Sequence, residues 1–233
     1  MVDLNEMKLK DVSEETLRNY LKGLENRPLT KEEAEKRGYY VHSYSNGDYE
    51  YEDEDGICYL IRDGKELCKG YNTYSFDNGD YMYKDEDGIC YLIRDGKELC
   101  KGSYVNSFDN GDYMYIDENG IYHLIRDGKE LCKGNFVYSY NNGDYKYEDE
   151  KGIYHLMRDG KELCKGIYVF SYYNGDYKYE DENGIYHLIR DGKELCKGYF
   201  VYSYDNGDYE YEDENGIHYC RIDNYIWERK EEW

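Results

Sequence analysis

The chain has 233 residues with 52 acidic against 30 basic side chains, a formal charge of −22, and 34 tyrosines against five phenylalanines and two tryptophans. No stretch approaches the ~20 apolar residues that span a bilayer, and the charge is opposite to the basic footprint that meets phosphate. Neither a membrane nor direct nucleic-acid binding is therefore expected.

Residues 1–10 (MVDLNEMKLK) lack the apolar run of a secretory signal. Further on, Leu17, Tyr20, Leu21 and Leu24 fall at helical spacing, with Asp11 or Ser13 placed to cap the start. Pro28 separates this piece from a second, where Thr30 and Glu33 form a capping-box pattern. Residues 1–37 thus read as an α-helical leader of two short helices covering the exposed edge of the segment that begins at residue 38.

From residue 38 the chain is periodic. Gly38, Gly70, Gly102, Gly134, Gly166 and Gly198 stand 32 residues apart, and a fixed period of this length marks a tandem-repeat architecture. Six ungapped units result, 38–69, 70–101, 102–133, 134–165, 166–197 and 198–229, with a tail at 230–233. In the fifth unit, Asn174-Gly175, Asn183-Gly184 and Asp191-Gly192 predict tight hairpins of type I′, which need positive φ at both central residues. The strands between them are expected at 167–173, 176–181, 185–190 and 193–197, with Lys197-Gly198 a fourth turn or a bulge. The fold class is all-β, six tandem 32-residue antiparallel β-meander repeats preceded by a short α-helical segment.

Six such units suit either an open, elongated array or a six-bladed β-propeller. Tyr177 and Tyr179 share one strand face, and Asp176, Lys178 and Glu180 share the other. A wholly charged face suits a propeller blade poorly, because a blade is covered on both sides. A helical leader and a charged terminal strand also look like caps on exposed edges. The open array is the expected form.

The eight cysteines include no CxxC pair. Cys68, Cys100, Cys132, Cys164 and Cys196 share one repeat position, and four strands at ~4.8 Å keep equivalents about 19 Å apart. That is too far for a disulfide. They read as small buried hydrophobes, reduced in a cytoplasmic setting, although Cys58–Cys68 and Cys90–Cys100 could face each other across hairpins. His123, His155 and His187 alternate with Tyr59, Tyr91 and Tyr219 at one position. That exchange suggests a ring with a polar tip, not a ligand. The acidic loops do not fit an EF-hand, since Tyr179 and Arg190 would fall at its first and twelfth positions. No metal or cofactor is expected, and with no nucleophile or phosphate-loop motif, no enzyme activity either.

Two repeated surfaces remain. A tyrosine ladder comprises Tyr49, Tyr51, Tyr81, Tyr83, Tyr113, Tyr115, Tyr145, Tyr147, Tyr177, Tyr179, Tyr209 and Tyr211. It could stack sugars or bases, or it could be the packed face of the sheets. An acidic stripe comprises Glu52, Asp53, Asp85, Glu86, Asp117, Glu118, Glu148, Asp149, Glu180, Asp181, Glu212 and Asp213. Stretches such as DENGIYHLIRDGKEL (181–195) resemble the WG, MORN and cell-wall-binding repeat classes. The resemblance implies tandem β-hairpin units; the tryptophans that define those families are absent, so no ligand site is carried over.

The expected function is that of a non-enzymatic binding protein. Its acidic repeats would engage a basic protein surface, as an inhibitor occupying a nucleic-acid site. A phage or mobile element is a fitting source, given the Lys/Asn/Ile/Tyr/Asp/Glu bias, with the host cytoplasm as location. The alternatives are a carbohydrate or small-ligand binder using the tyrosine ladder, and a structural spacer.

Overall fold

The computed structural model describes residues 27–222 and Tyr225–Glu228, together with Glu15 and Arg18. Glu15 and Arg18 are helical, while Leu17, Tyr20, Leu21 and Leu24, on which the expected first helix rests, and the tail at 230–233 lie outside the described residues. Two compact units are present, Met1–Gly88 and Ile89–Trp233.

The helix that is described, Lys31–Lys36, begins as expected: the Thr30 side chain accepts from the Glu33 amide, and the Glu33 carboxylate accepts from the Thr30 amide. It caps the first repeat. Ala34 is fully buried with Tyr51 and Ile61, the Tyr49 hydroxyl donates to the Leu29 carbonyl at 2.8 Å, and Lys31 Nζ donates to Ser43 Oγ at 2.8 Å.

Every repeat is a four-stranded antiparallel meander whose strands pair in chain order. The fifth illustrates it, with strands at Tyr168–Ser171, Tyr177–Glu180, Tyr186–Arg190 and Lys193–Gly198. Between the last two, Leu188 pairs with Cys196 but Ile189 with Glu194, so Leu195 is the extra residue of a bulge. Gly198 is therefore neither a turn nor the bulge; it ends the last strand. A Cβ there would stand 1.8 Å from the Glu212 carbonyl oxygen, so only glycine lets the next repeat approach.

The corners differ from one another. Asp191 and Gly192 have φ of 49° and 72°, the two positive values a type I′ turn demands. At Asn174-Gly175 and Asn183-Gly184, glycine alone has positive φ, 88° and 78°. In the first of these the Tyr172 amide donates to the Asp176 carbonyl, and the Gly175 amide to that of Tyr172. This is a three-residue loop closed by a left-handed glycine, not a two-residue turn. Such a loop asks nothing of the residue before glycine, which is why Lys151-Gly152 serves at the second corner of the fourth repeat.

Among the described residues no sheet closes into a barrel, and within Ile89–Trp233 packing steps from each sheet to the next in chain order, forming an open array of meanders. The core lies between sheets. Leu124 of one repeat packs with Val137 and Tyr145 of the next, and Leu156 packs with Val169 and Tyr177. The face of the second strand expected to be wholly charged is covered. Asp176 is 1% exposed, Lys178 is half-buried among rings, and Met82 and Met114 occupy the lysine's position in other repeats.

A polar node accompanies each of these apolar contacts. Arg158 grips Asp144 of its own repeat in bidentate fashion, with both bonds at 2.7 Å, and donates to the Gly175 carbonyl of the next at 3.1 Å. Ser171 of that next repeat donates to Asp144 Oδ2 at 2.5 Å, while Asn142 Nδ2 donates to Ser171 Oγ at 2.8 Å and to the Tyr172 carbonyl at 3.1 Å. The same set recurs around Asp48, Asp112 and Asp176. Burial alone would raise the Asp48 carboxyl; hydrogen bonds from Arg62 and Ser75 more than offset this and hold it below the usual carboxylate range. In the sixth repeat Ile222 replaces the arginine, and Asp208 is only half-buried.

Replacing Arg158 with leucine leaves a buried carboxylate without its cation. It should cost about 3 kcal/mol in urea unfolding.

Candidate functional site

The acidic stripe separates into three repeat positions with different duties. Asp53, Asp117, Asp149, Asp181 and Asp213 each fold back on their own corner. Asp181 Oδ1 accepts from the Asn183 amide at 2.8 Å and the Ile185 amide at 3.0 Å, and the others repeat this. The Ile121 and Ile185 amides are the main reason that the Asp117 and Asp181 carboxyls are held down to about 2. Asp149 and Asp213 shift the same way, led by the Ile153 and Ile217 amides. Asp85 occupies the same corner position. Glu52, Glu148, Glu180 and Glu212 end the second strand of their repeats.

The tip of the corner is its exposed part, and Lys197 Nζ lies 3.7 Å from Glu214 there. Glu54 and Glu86 in the first unit, and Glu118, Glu150, Glu182 and Glu214 in the second, are all exposed. Of these, the acidic stripe read from sequence contains only Glu86 and Glu118. The stripe follows adjacent acid pairs along the chain, and such pairs do not keep to one repeat position.

The tyrosine ladder is core. Tyr51, Tyr81, Tyr113, Tyr145, Tyr177 and Tyr209 are 3–8% exposed. Their neighbours Tyr49, Tyr83, Tyr115, Tyr147, Tyr179 and Tyr211 are half-buried. Three of these stack on the histidines: His123, His155 and His187 lie over Tyr115, Tyr147 and Tyr179 with centroids 4.7–4.8 Å apart and planes within 6°. Each imidazole also bridges two carboxylates, for His123 those of Asp117 at 3.2 Å and Glu130 at 2.6 Å. Tyr59 stacks on Tyr51 in the same way, at 5.0 Å and 11°, so the histidine–tyrosine exchange keeps a stacking partner in place.

Exposed rings lie elsewhere, on the first strand and the corner after it. In the second unit Phe108, Tyr138, Tyr140, Phe170, Tyr172, Tyr202 and Tyr204 form an unbroken edge-to-face series, with centroids 4.9–5.6 Å apart. The rings range from buried to outward, with Phe170 half-buried and Tyr204 44% exposed. Phe108, Tyr140 and Tyr172 are 6–9% exposed, whereas Tyr138 and Tyr202 are each 42% exposed. The series floors a groove of about 620 Å³ with Asp109, Asn141, Tyr173 and Asp205 at its rim. Asn141 Nδ2 ties the rim together, donating to Asp109 Oδ2 at 3.3 Å and to the Tyr173 hydroxyl at 3.1 Å. Sequence reasoning passed over these residues. Their signal was present: the Tyr140 position is aromatic in all six repeats.

Behind the groove two lysines are seated among rings. Lys146 Nζ lies 5.4–5.9 Å from the centroids of Phe136, Tyr138, Tyr140, Tyr154 and Tyr168, and donates to the Val169 carbonyl at 3.3 Å. Lys178 repeats the arrangement with Tyr168, Tyr172 and Tyr186, donating to the Val201 carbonyl at 3.1 Å. Burial lowers the pKa of both.

The cysteines are free thiols. Cys58 pairs with Gly70 and Cys68 with Leu60, so the two are offset along the hairpin rather than opposed, and Cys90 and Cys100 are offset likewise. Burial pushes Cys68, Cys132, Cys164 and Cys196 up to about 12. Among the described residues no cluster of three or more His, Cys, Asp or Glu side chains could hold a metal ion.

No known protein family and no curated protein sequence matches the chain. Solved structures do. The WD40 β-propeller domain of Doa1 is similar at 12% identity and a TM-score of 0.33, covering 76% of each chain. The C-terminal WD40 domain of Sif2 is similar at 11% and 0.39, covering 78% of this chain and 66% of that one. BamB from Moraxella catarrhalis is similar at 9% and 0.35, covering 82% and 69%.

The corner aspartates titrate in the folded state near 2 for Asp117 and Asp181, against about 3.9 in an unfolded chain. A depressed carboxyl contributes stability above the unfolded value and loses it as pH falls through the folded one. The urea midpoint should therefore drop between about pH 4 and pH 2. The drop should be shallower in Asp117→Asn with Asp181→Asn, whose amide oxygens still accept from the corner but carry no titrating charge.

Proposed function

We propose that the chain is a non-enzymatic binding protein whose repeated acidic surface engages a basic protein. The observation that carries this reading is the exposed glutamate at the tip of every second corner, Glu118, Glu150, Glu182 and Glu214 in the second unit and Glu54 and Glu86 in the first. Beside each tip stands a corner aspartate, and those at Asp117 and Asp181 keep their charge down to about pH 2. A partner therefore meets fixed negative charge at regular intervals. Each contact is modest, and their number supplies the affinity through effective concentration.

A protein surface shaped to bind nucleic acid is the natural counterpart, since it carries basic groups at repeating intervals. The chain would then act as an inhibitor by occupying that surface, a role suited to a phage-encoded protein in the host cytoplasm. The alternative of sugars stacking on the tyrosine ladder draws on rings of which six are 3–8% exposed.

The test is capture from lysate on the immobilised chain, with bound proteins and nucleic acids both identified. Basic proteins should be retained at about 50 mM salt and released by about 300 mM. Glu118→Gln, Glu150→Gln, Glu182→Gln and Glu214→Gln together should lower retention and flatten its salt dependence. Retention that ignores both salt and these glutamates would refute the reading.

A further inference from the structure

We infer that the aromatic groove of the second unit seats an extended, lysine- or arginine-bearing segment of the basic partner. This rests on the function proposed above and names the place where specificity is added to charge. Three observations converge on a cation.

First, the rim carries carboxylates and no base. Asp109 and Asp205 line the groove, and no lysine or arginine does. The chain as a whole is at −22.

Second, exposed aromatic rings line the groove. Tyr138 and Tyr202 are each 42% exposed, and Tyr173 on the rim is 70% exposed. Cations within about 6 Å of a ring centroid are attracted by its quadrupole.

Third, the same rings already host ammonium groups from inside. Lys146 Nζ lies 5.9 Å from the centroids of both Tyr138 and Tyr140, and Lys178 Nζ 5.9 Å from that of Tyr172. The protein thus treats this ribbon as an ammonium site on its buried side.

The outward rings Tyr138 and Tyr202 stand two repeats apart with the half-buried Phe170 between them, so the occupant must be extended, with cationic side chains spaced to reach both. The rim supplies acceptors to those cations: the Asp109 carboxylate, positioned by Asn141, and the Asp205 carboxylate. The interior lysines oppose a second cation across the rings. Met82 and Met114 show that methionine fills the same place in other repeats, so removing the interior charge need not open a cavity.

The experiment titrates the full chain with labelled octa-lysine peptide, and separately with a neutral chitin or glucan hexasaccharide. Tyr138→Ser with Tyr202→Ser leaves the net charge unchanged and should weaken octa-lysine about tenfold. Lys146→Met with Lys178→Met should strengthen it about threefold and leave any response to the hexasaccharide unmoved. If the serine variant binds octa-lysine as tightly as the parent while the four glutamate-to-glutamine changes abolish binding, the groove is not the seat and the acidic-surface function stands. If the parent binds no octa-lysine at about 50 mM salt, both fall. A hexasaccharide that binds, weakens in the serine variant and is not displaced by octa-lysine would make the occupant a neutral glycan and overturn the inference.

Discussion

The architecture depends on one buried carboxylate in each of the first five repeats. An aspartate at 1% exposure is unfavourable by itself. It is tolerable here because an arginine of its own meander and a serine of the next converge on it. An asparagine two residues before it reaches across to the same serine. The consequence is specificity of register. Valine and leucine would pack at many offsets, but a bidentate arginine and two donors fit at one. Within each unit the sheets are thereby indexed against their neighbours, and the recurring rings, carboxylates and corners of the second unit acquire fixed spacings.

Much of this was legible in the chain. The period, the strand order and the near positions of the strands follow from glycine spacing and from alternation, because both are local and copied with every unit. The capping box at Thr30 and Glu33 was equally plain, for the same reason. What stayed hidden depends on contact between repeats. Asn174 looked like a turn residue chosen for positive φ. It is instead kept for its amide, which holds the neighbouring serine and carbonyl. Asp176 and Lys178 looked like members of a solvated charged face. Arg190 and Ser203 make the first buriable, and a cage of rings does so for the second. No pattern within a single strand announces partners that lie 14 to 27 residues away.

The candidate site divides along the same line. Acidity was visible from composition, but which acids face a partner was not. The corner aspartates and the tip glutamates are adjacent in sequence and opposite in duty: one organises the loop, the other projects from it. The aromatic groove was overlooked because the tyrosine pair of the second strand is the more regular pattern, and the sheets bury that pair. On the first strand, residues two apart share a face and stand edge to face with those of the next repeat. That ribbon exists only once the sheets are stacked.

The glycine that ends each of the first five meanders has a consequence of another kind. With the next repeat's carbonyl oxygen only 1.8–2.2 Å from where a Cβ would sit, these positions admit no other residue without a shift in backbone. Side chains along the strands can drift, as methionine, lysine and glutamate do at the position of Lys146, but the seam cannot. A gene built this way can gain or lose whole cassettes by recombination and still encode a foldable protein. Reach and valency can then evolve by copy number, while the face that meets the target is rewritten one cassette at a time.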